Sequence, residues 1–150
     1  MTRIYVAVGS VMGTAKAVAK AVEAQLTKQG FDCVLPDQAS VAEWQSQTFD
    51  GLLVITSTTG RGEIPNNLLP FYVELGDVMP LMPNVIAGVI ALGDSSYDDT
   101  FCGAGALMEE RLRELQAQLP VPRVTIDATE TITPDADALY WLAEWQATLR

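Results

Sequence analysis

The sequence predicts an α/β fold: a doubly wound, five-stranded parallel sheet with helices on both faces. Two observations predict it. Short apolar runs alternate along the chain with segments of helical periodicity, which is the pattern of strand–helix–strand units. The inner runs, such as Leu52-Leu53-Val54-Ile55, are apolar at every position, as in strands covered on both faces.

The first strand is expected over about Arg3 to Gly9. A helix follows over about Thr14 to Gln29, where Ala15, Val18, Ala19, Val22 and Leu26 recur at helical spacing. Gly30 stands where a C-terminal cap belongs. Phe31 to Leu35 reads as the second strand, Val41 to Trp44 as a short helix, and Gly51 to Thr56 as the third strand. A polar loop runs from Ser57 to Asn66, and a helix is expected over Asn67 to Leu75 with Asn66 as its N-cap. Val85 to Leu92 is the fourth strand. The loop from Gly93 to Gly103 precedes a helix of Ala104 to Gln118, apolar at Leu107, Met108, Leu112 and Leu115. Val121 to Ile126 is the fifth strand. Thr133 is expected to cap a last helix with Pro134 at its first position. Neither a linker nor an internal repeat interrupts this alternation, so the 150 residues are expected to form one domain.

Composition narrows the function. The net charge is −10 and the pI about 4.2, which opposes nucleic acid and anionic membranes as partners and favours basic protein surfaces. The chain has no histidine, and its two cysteines, Cys33 and Cys102, form no CxxC pair. That excludes zinc fingers, histidine-based metal sites and Ser-His-Asp or Cys-His catalysis. The cysteine usage and the absence of a signal-peptide pattern lead to an expectation of a cytoplasmic protein.

The chemistry is expected at the C-terminal strand ends, where ligands sit in open parallel sheets. Gly9-Ser10-Val11-Met12-Gly13-Thr14-Ala15 joins the first strand to a helix. Backbone N–H groups at such a helix start lack partners, and the helix dipole favours negative charge, so the loop is a candidate phosphate cradle. Lys16, just inside the helix, reads more readily as a solvated surface charge. Polar loops after the third and fourth strands, around Thr58 and Tyr97, open at the same end.

Three loops in this order resemble the flavodoxin family. Ser10-Val11-Met12-Gly13-Thr14-Ala15 resembles its FMN phosphate loop. The stretch from Ser57 to Asn67, with Ser57-Thr58-Thr59-Gly60 at its start, resembles the loop on the inner side of the flavin ring. Leu92-Gly93-Asp94-Ser95-Ser96-Tyr97 with Phe101-Cys102-Gly103-Ala104 resembles the loop on the outer side. The likeness covers essentially the whole chain, follows the short-chain type, and extends to the FMN domains of sulfite and cytochrome P450 reductases. It implies strand order 2-1-3-4-5 and FMN as cofactor.

The resemblance also implies residue roles. The hydroxyls of Ser10 and Thr14 and the amides from Val11 to Ala15 would donate to the phosphate, with Gly13 allowing close approach. Gly60 would turn its carbonyl toward N5 of the reduced flavin. Tyr97 would stack on the outer face, and the Gly93 carbonyl and the amides of Asp94 to Ser96 would meet the pyrimidine edge. Phe101 and Cys102 complete the outer loop; Cys102 reads as a packing residue rather than a redox thiol. The chain departs from the family where Met12 and Ala15 replace hydroxyl residues. That removes two phosphate hydrogen bonds of roughly 1 kcal/mol each. Thr59 stands where many relatives carry an aromatic, and the Asp98-Asp99-Thr100 segment lengthens the outer loop by one residue.

The implied function is a low-potential one-electron carrier and not an enzyme. A flavoprotein reductase would reduce it and an acceptor enzyme would oxidise it, both docking through basic surfaces on a monomeric carrier. Glu63, Asp94, Asp98 and Asp99 would place negative charge near the flavin and disfavour its anionic reduced form. A flavin-free or weakly FMN-binding adaptor on the same fold is the alternative. A phospho-receiver would need an aspartate at the end of the third strand and a lysine at the end of the fifth, where Thr56-Ser57 and Asp127-Ala128 stand. Quinone reductases of this fold build a substrate pocket from extra loops that the sequence lacks.

Overall fold

The computed structural model describes residues 2–10, 13–58, 62–93, 103–127 and 133–149. In chain order the elements are β1 (Arg3–Gly9), α1 (Thr14–Lys28), β2 (Asp32–Val34), α2 (Val41–Gln45) and β3 (Gly51–Thr56). They continue as α3 (Leu69–Val78), β4 (Ile86–Gly93), α4 (Gly103–Glu114), β5 (Val124–Asp127) and α5 (Pro134–Ala147). The five strands are all parallel and stand in the order β2-β1-β3-β4-β5, as expected.

Period-two alternation sorts the strand side chains between two cores. Ile4, Val6, Leu53, Ile55 and Ile90 face one side, where α1 and α5 cover them with Val18, Val22, Leu142 and Trp145. Tyr5, Ala7, Leu52, Val54 and Val89 face the other, against α2, α3 and α4, with Trp44, Phe71, Leu75 and Met108. Both faces are filled, so β3 is buried at every residue.

α1 ends as its sequence suggests. Gly30 takes φ +92°; its N–H donates to the Thr27 carbonyl (3.1 Å) and the Phe31 N–H donates to Leu26 (3.0 Å). These two bonds close a Schellman cap. α4 ends the same way without a glycine, and four residues earlier than expected. Gln116 takes φ +70°, and the N–H groups of Gln116 and Ala117 donate to Arg113 and Leu112. Gln118 then leaves the helical path and bridges to Ile86.

Two further boundaries shift for reasons rooted in proline. α3 begins at Leu69, not Asn67, because a helix begun at Asn67 would put Pro70 where an N–H is required. Residues 66–68 instead form a turn in which Leu68 and Leu69 both donate to the Pro65 carbonyl (2.9 Å each). Leu68, not Asn66, is the N-cap, and it makes no side-chain bond. α3 also runs on past Leu75 to Val78. β5 starts at Val124 rather than Val121, downstream of Pro122, which cannot donate to a ladder. Thr133 does occupy the N-cap of α5, but its side chain makes no capping bond.

Candidate functional site

The chain leaves β1 in one direction toward β2 and returns in the other toward β3 and β4. The order therefore switches between β1 and β3, and the ends of both strands meet there with Gly9 opposite Thr56. A crevice at such a switch point is the general ligand position of open α/β sheets. Gly9 has to be small: a Cβ there would lie 2.6 Å from Thr56 Oγ1 and 2.8 Å from Leu68 Cβ.

The loop after β1 is held from two sides. The Ser10 N–H donates to Asn67 Oδ1 (3.0 Å), tying this loop to the turn before α3. The Gly13 N–H donates to Ser10 Oγ (2.8 Å). Gly13 is the N-cap of α1 in the left-handed region, φ +87°, with no atom of the other described residues within 4 Å of where a Cβ would stand. It supplies no side-chain cap, and no acidic residue lies in the first turn. Among the described residues no side chain caps the start of α1, and amides at such a helix start suit a bound anion.

The loop after β3 is tied to its neighbours. The Ser57 N–H donates to the Gly9 carbonyl (2.8 Å). Thr56, fully buried, donates its hydroxyl to the Ser57 carbonyl (2.8 Å). Thr58, expected nearest the flavin, has its Oγ1 on the Ala104 N–H (3.2 Å), where it caps α4 from another loop. Gly103 lies so close to Gly62 that a Cβ on it would stand 3.0 Å from the Gly62 carbonyl oxygen. The segments flanking the second and third loops therefore touch. Leu92, buried, and Gly93, half-buried, end β4 beside them.

Of the sequence-predicted site residues, Ser10, Gly13, Thr14, Ala15, Ser57, Thr58, Leu92 and Gly93 stand at this one edge of the sheet. Val11, Met12, Thr59, Gly60, Asp94, Ser95, Ser96, Tyr97, Phe101 and Cys102 lie outside the described residues. Sequence reasoning set Asn67 at the end of the inner loop and the start of a helix and gave it no role in the first loop, to which the structure ties it. The signal was available in the polar Asn66-Asn67 pair ahead of a proline. Among the described residues there is no group of three acidic or cysteine side chains that could hold a metal.

Residues 6–141 match the sequence profile of the family described as Flavodoxin. The chain belongs to the flavodoxin family. It is 35% identical to flavodoxin YqcA of Escherichia coli, over 99% of both chains. It superimposes on a cysteine-to-serine variant of flavodoxin from Pseudomonas aeruginosa with a TM-score of 0.94, at 41% identity over 99% of both chains. It is also 34% identical to the sulfite reductase [NADPH] flavoprotein alpha-component of Bacillus subtilis, over 93% of this chain and 22% of that one. Flavodoxins are electron carriers, generally without a substrate of their own. No helix among the described residues is long and apolar enough to cross a membrane.

Proposed function

We propose that this flavodoxin binds FMN across the ends of β1, β3 and β4 and serves as a low-potential one-electron carrier. It would pass electrons from a flavoprotein reductase to an acceptor enzyme. The observation that carries the reading is the start of α1: uncapped amides behind a left-handed glycine, at the switch point of a flavodoxin-family sheet. That arrangement fits a phosphate monoester with neutral donors alone.

Ser10, Gly13, Thr14 and Ala15, with Val11 and Met12 between them, would hold the phosphate. Ser10 Oγ, which accepts from Gly13, would also be within the loop that surrounds it. Ser57, Thr58, Thr59 and Gly60 would line the inner side of the ring. Leu92, Gly93, Asp94, Ser95, Ser96, Tyr97, Phe101 and Cys102 would line the outer side. When bound, FMN supplies the one-electron chemistry, and the protein supplies position and electrostatics. The Ser10–Asn67 bond ties the residue after β1 to the turn before α3, and the Thr58–Ala104 bond ties the residue after β3 to the start of α4. Acidic side chains around the ring would disfavour added negative charge, making the reduced carrier a stronger donor.

The test is to incubate purified protein with FMN, remove the excess by gel filtration and titrate anaerobically with dithionite. Retained yellow flavin that accepts its electrons in two resolved one-electron steps is the expected result. A colourless protein after gel filtration would overturn the reading in favour of a flavin-free adaptor.

A further inference from the structure

A groove of about 370 Å³ opens beside the β1–α1 loop, on the side away from β3 and β4. That volume lies in the range of ~300–1,000 Å³ usual for small-molecule sites. One wall is α1, which presents Lys16 and Lys20 one helical turn apart. The opposite wall is the segment after β2, with Leu35, Pro36 and Asp37. Val8 lies between them, Ser10 and Asn67 stand at the end nearest the phosphate loop, and Glu23 stands further along the helix.

The charge placement is unusual for this chain. It has three lysines, Lys16, Lys20 and Lys28, and all lie on α1 in a molecule of net charge −10. Neither Lys16 nor Lys20 has an ion-pair partner among the described residues. A purely anionic ligand would meet Asp37 and Glu23 as well as the lysines, and a cation would meet the lysines. A ligand with an anionic end, a hydroxylated middle and a flat apolar end meets the lysines, Asp37 and the apolar wall, and leaves Glu23 to solvent at the far end of the groove. The two ammonium groups suit a phosphate, the Asp37 carboxylate suits a vicinal diol, and Val8, Leu35 and Pro36 suit the face of a base. In Rossmann dinucleotide-binding folds, a differently ordered relative of this sheet, an acidic side chain about 20 residues past the first strand–helix turn engages the ribose.

We propose that this groove binds a nucleoside 5′-phosphate, either as a free nucleotide or as the adenylate half of FAD whose flavin half takes the neighbouring site. The second form rests on the flavin reading above; the first does not.

The experiment titrates the protein with AMP by amide NMR, and with FMN and FAD by flavin fluorescence, in wild type and Lys20→Glu. AMP at millimolar concentration is expected to shift the amides of Val8, Leu35 and Asp37. Lys20→Glu should weaken AMP binding about tenfold and leave FMN binding unchanged. AMP binding weakened by Lys20→Glu, with FAD affinity equal in both proteins, assigns the groove to a free nucleotide. FAD binding weakened about tenfold by Lys20→Glu, with FMN binding unchanged, assigns it to the adenylate half of FAD. Displacement of AMP by FMN places AMP in the flavin phosphate loop and overturns the proposal. No AMP shifts at those amides together with equal FAD affinity in both proteins overturns the proposal. So do AMP shifts that Lys20→Glu leaves untouched. AMP shifts without any FMN binding would overturn the flavin reading and leave the groove standing.

Discussion

Tyr5 sits fully buried on the sheet, yet its hydroxyl is saturated. It donates to Glu43 Oε1 (2.7 Å) and accepts the Ser40 N–H (3.1 Å), so one phenol ties β1 to the start of α2. Tyr5→Phe should cost about 1–2 kcal/mol in denaturant melts, because the Ser40 amide and the Glu43 carboxylate both lose a partner. Burial, reinforced by Glu43, pushes the phenol above its ordinary value of 10.0. Burial, reinforced by Glu23 and Asp32, pushes the Cys33 thiol from 9.0 up to about 12. Both groups keep their proton longer in the folded state than in the unfolded one. Their contribution is complete below the unfolded values and is lost as pH rises through 9.0 and 10.0 toward the folded ones. Stability should therefore decline with pH in that alkaline window, and less steeply in Tyr5→Phe. In a Cys102→Ser background, Cys33 should react with a thiol reagent slowly at neutral pH, with a rate that climbs toward about pH 12. A rate that levels off near the ordinary thiol value would contradict this environment.

At the scale of elements, two devices hold the helices that follow the ligand loops. Arg111 of α4 lies 4.0 Å over the Tyr72 ring and donates Nη1 to the Tyr72 carbonyl (2.6 Å). It occupies the space above Gly76 that a Cβ would need. Arg111→Ala should cost about 1–2 kcal/mol, chiefly from the bond to the Tyr72 carbonyl and the cation–π contact, since its second bond, Nε to the exposed Glu114 Oε1 (3.2 Å), is a surface i,i+3 pair of little weight. Thr58 accepts the Ala104 N–H in the first turn of α4 (3.2 Å). Thr58→Val should cost about 1 kcal/mol and speed hydrogen exchange at the Ala104 amide, and unchanged exchange there would remove Thr58 from the cap. The start of α1, the extent of β3 and the Gly30 cap were legible in sequence because each depends on neighbours along the chain. The end of α4 was not, since Gln116 adopts a left-handed conformation that nothing in its residue type demands. It is held there by the Gln118–Ile86 bridge, a long-range contact.

At the scale of the whole molecule, the −10 charge is the property a partner meets first. If the carrier docks on basic surfaces, electron transfer from its reductase should slow as ionic strength rises, with the loss falling on the association step. A rate independent of salt would point to apolar docking. The two cores also meet the sheet with little slack. Trp145 is fully buried under β4, its Nε1 donates to the Ala87 carbonyl (3.0 Å), and a Cβ on Gly88 would fall 2.6 Å from that nitrogen. Gly88→Ala should cost about 1–3 kcal/mol by overpacking, measured by urea denaturation.

By itself the sequence determined the alternation of strands and helices, the burial of the central sheet on both faces and the three loops that mark the family. Those features are written in hydrophobic period, in glycine placement and in motif order, all of which are local along the chain. Only the tertiary structure decided that Asn67 serves the first loop rather than a helix, and that the Thr58 hydroxyl belongs to the start of α4. It alone set Lys16 and Lys20 of α1 across a groove from Asp37. The physical reason is that a polar side chain takes whichever donor or acceptor the packed sheet brings within about 3 Å, and that choice is made between residues far apart in sequence.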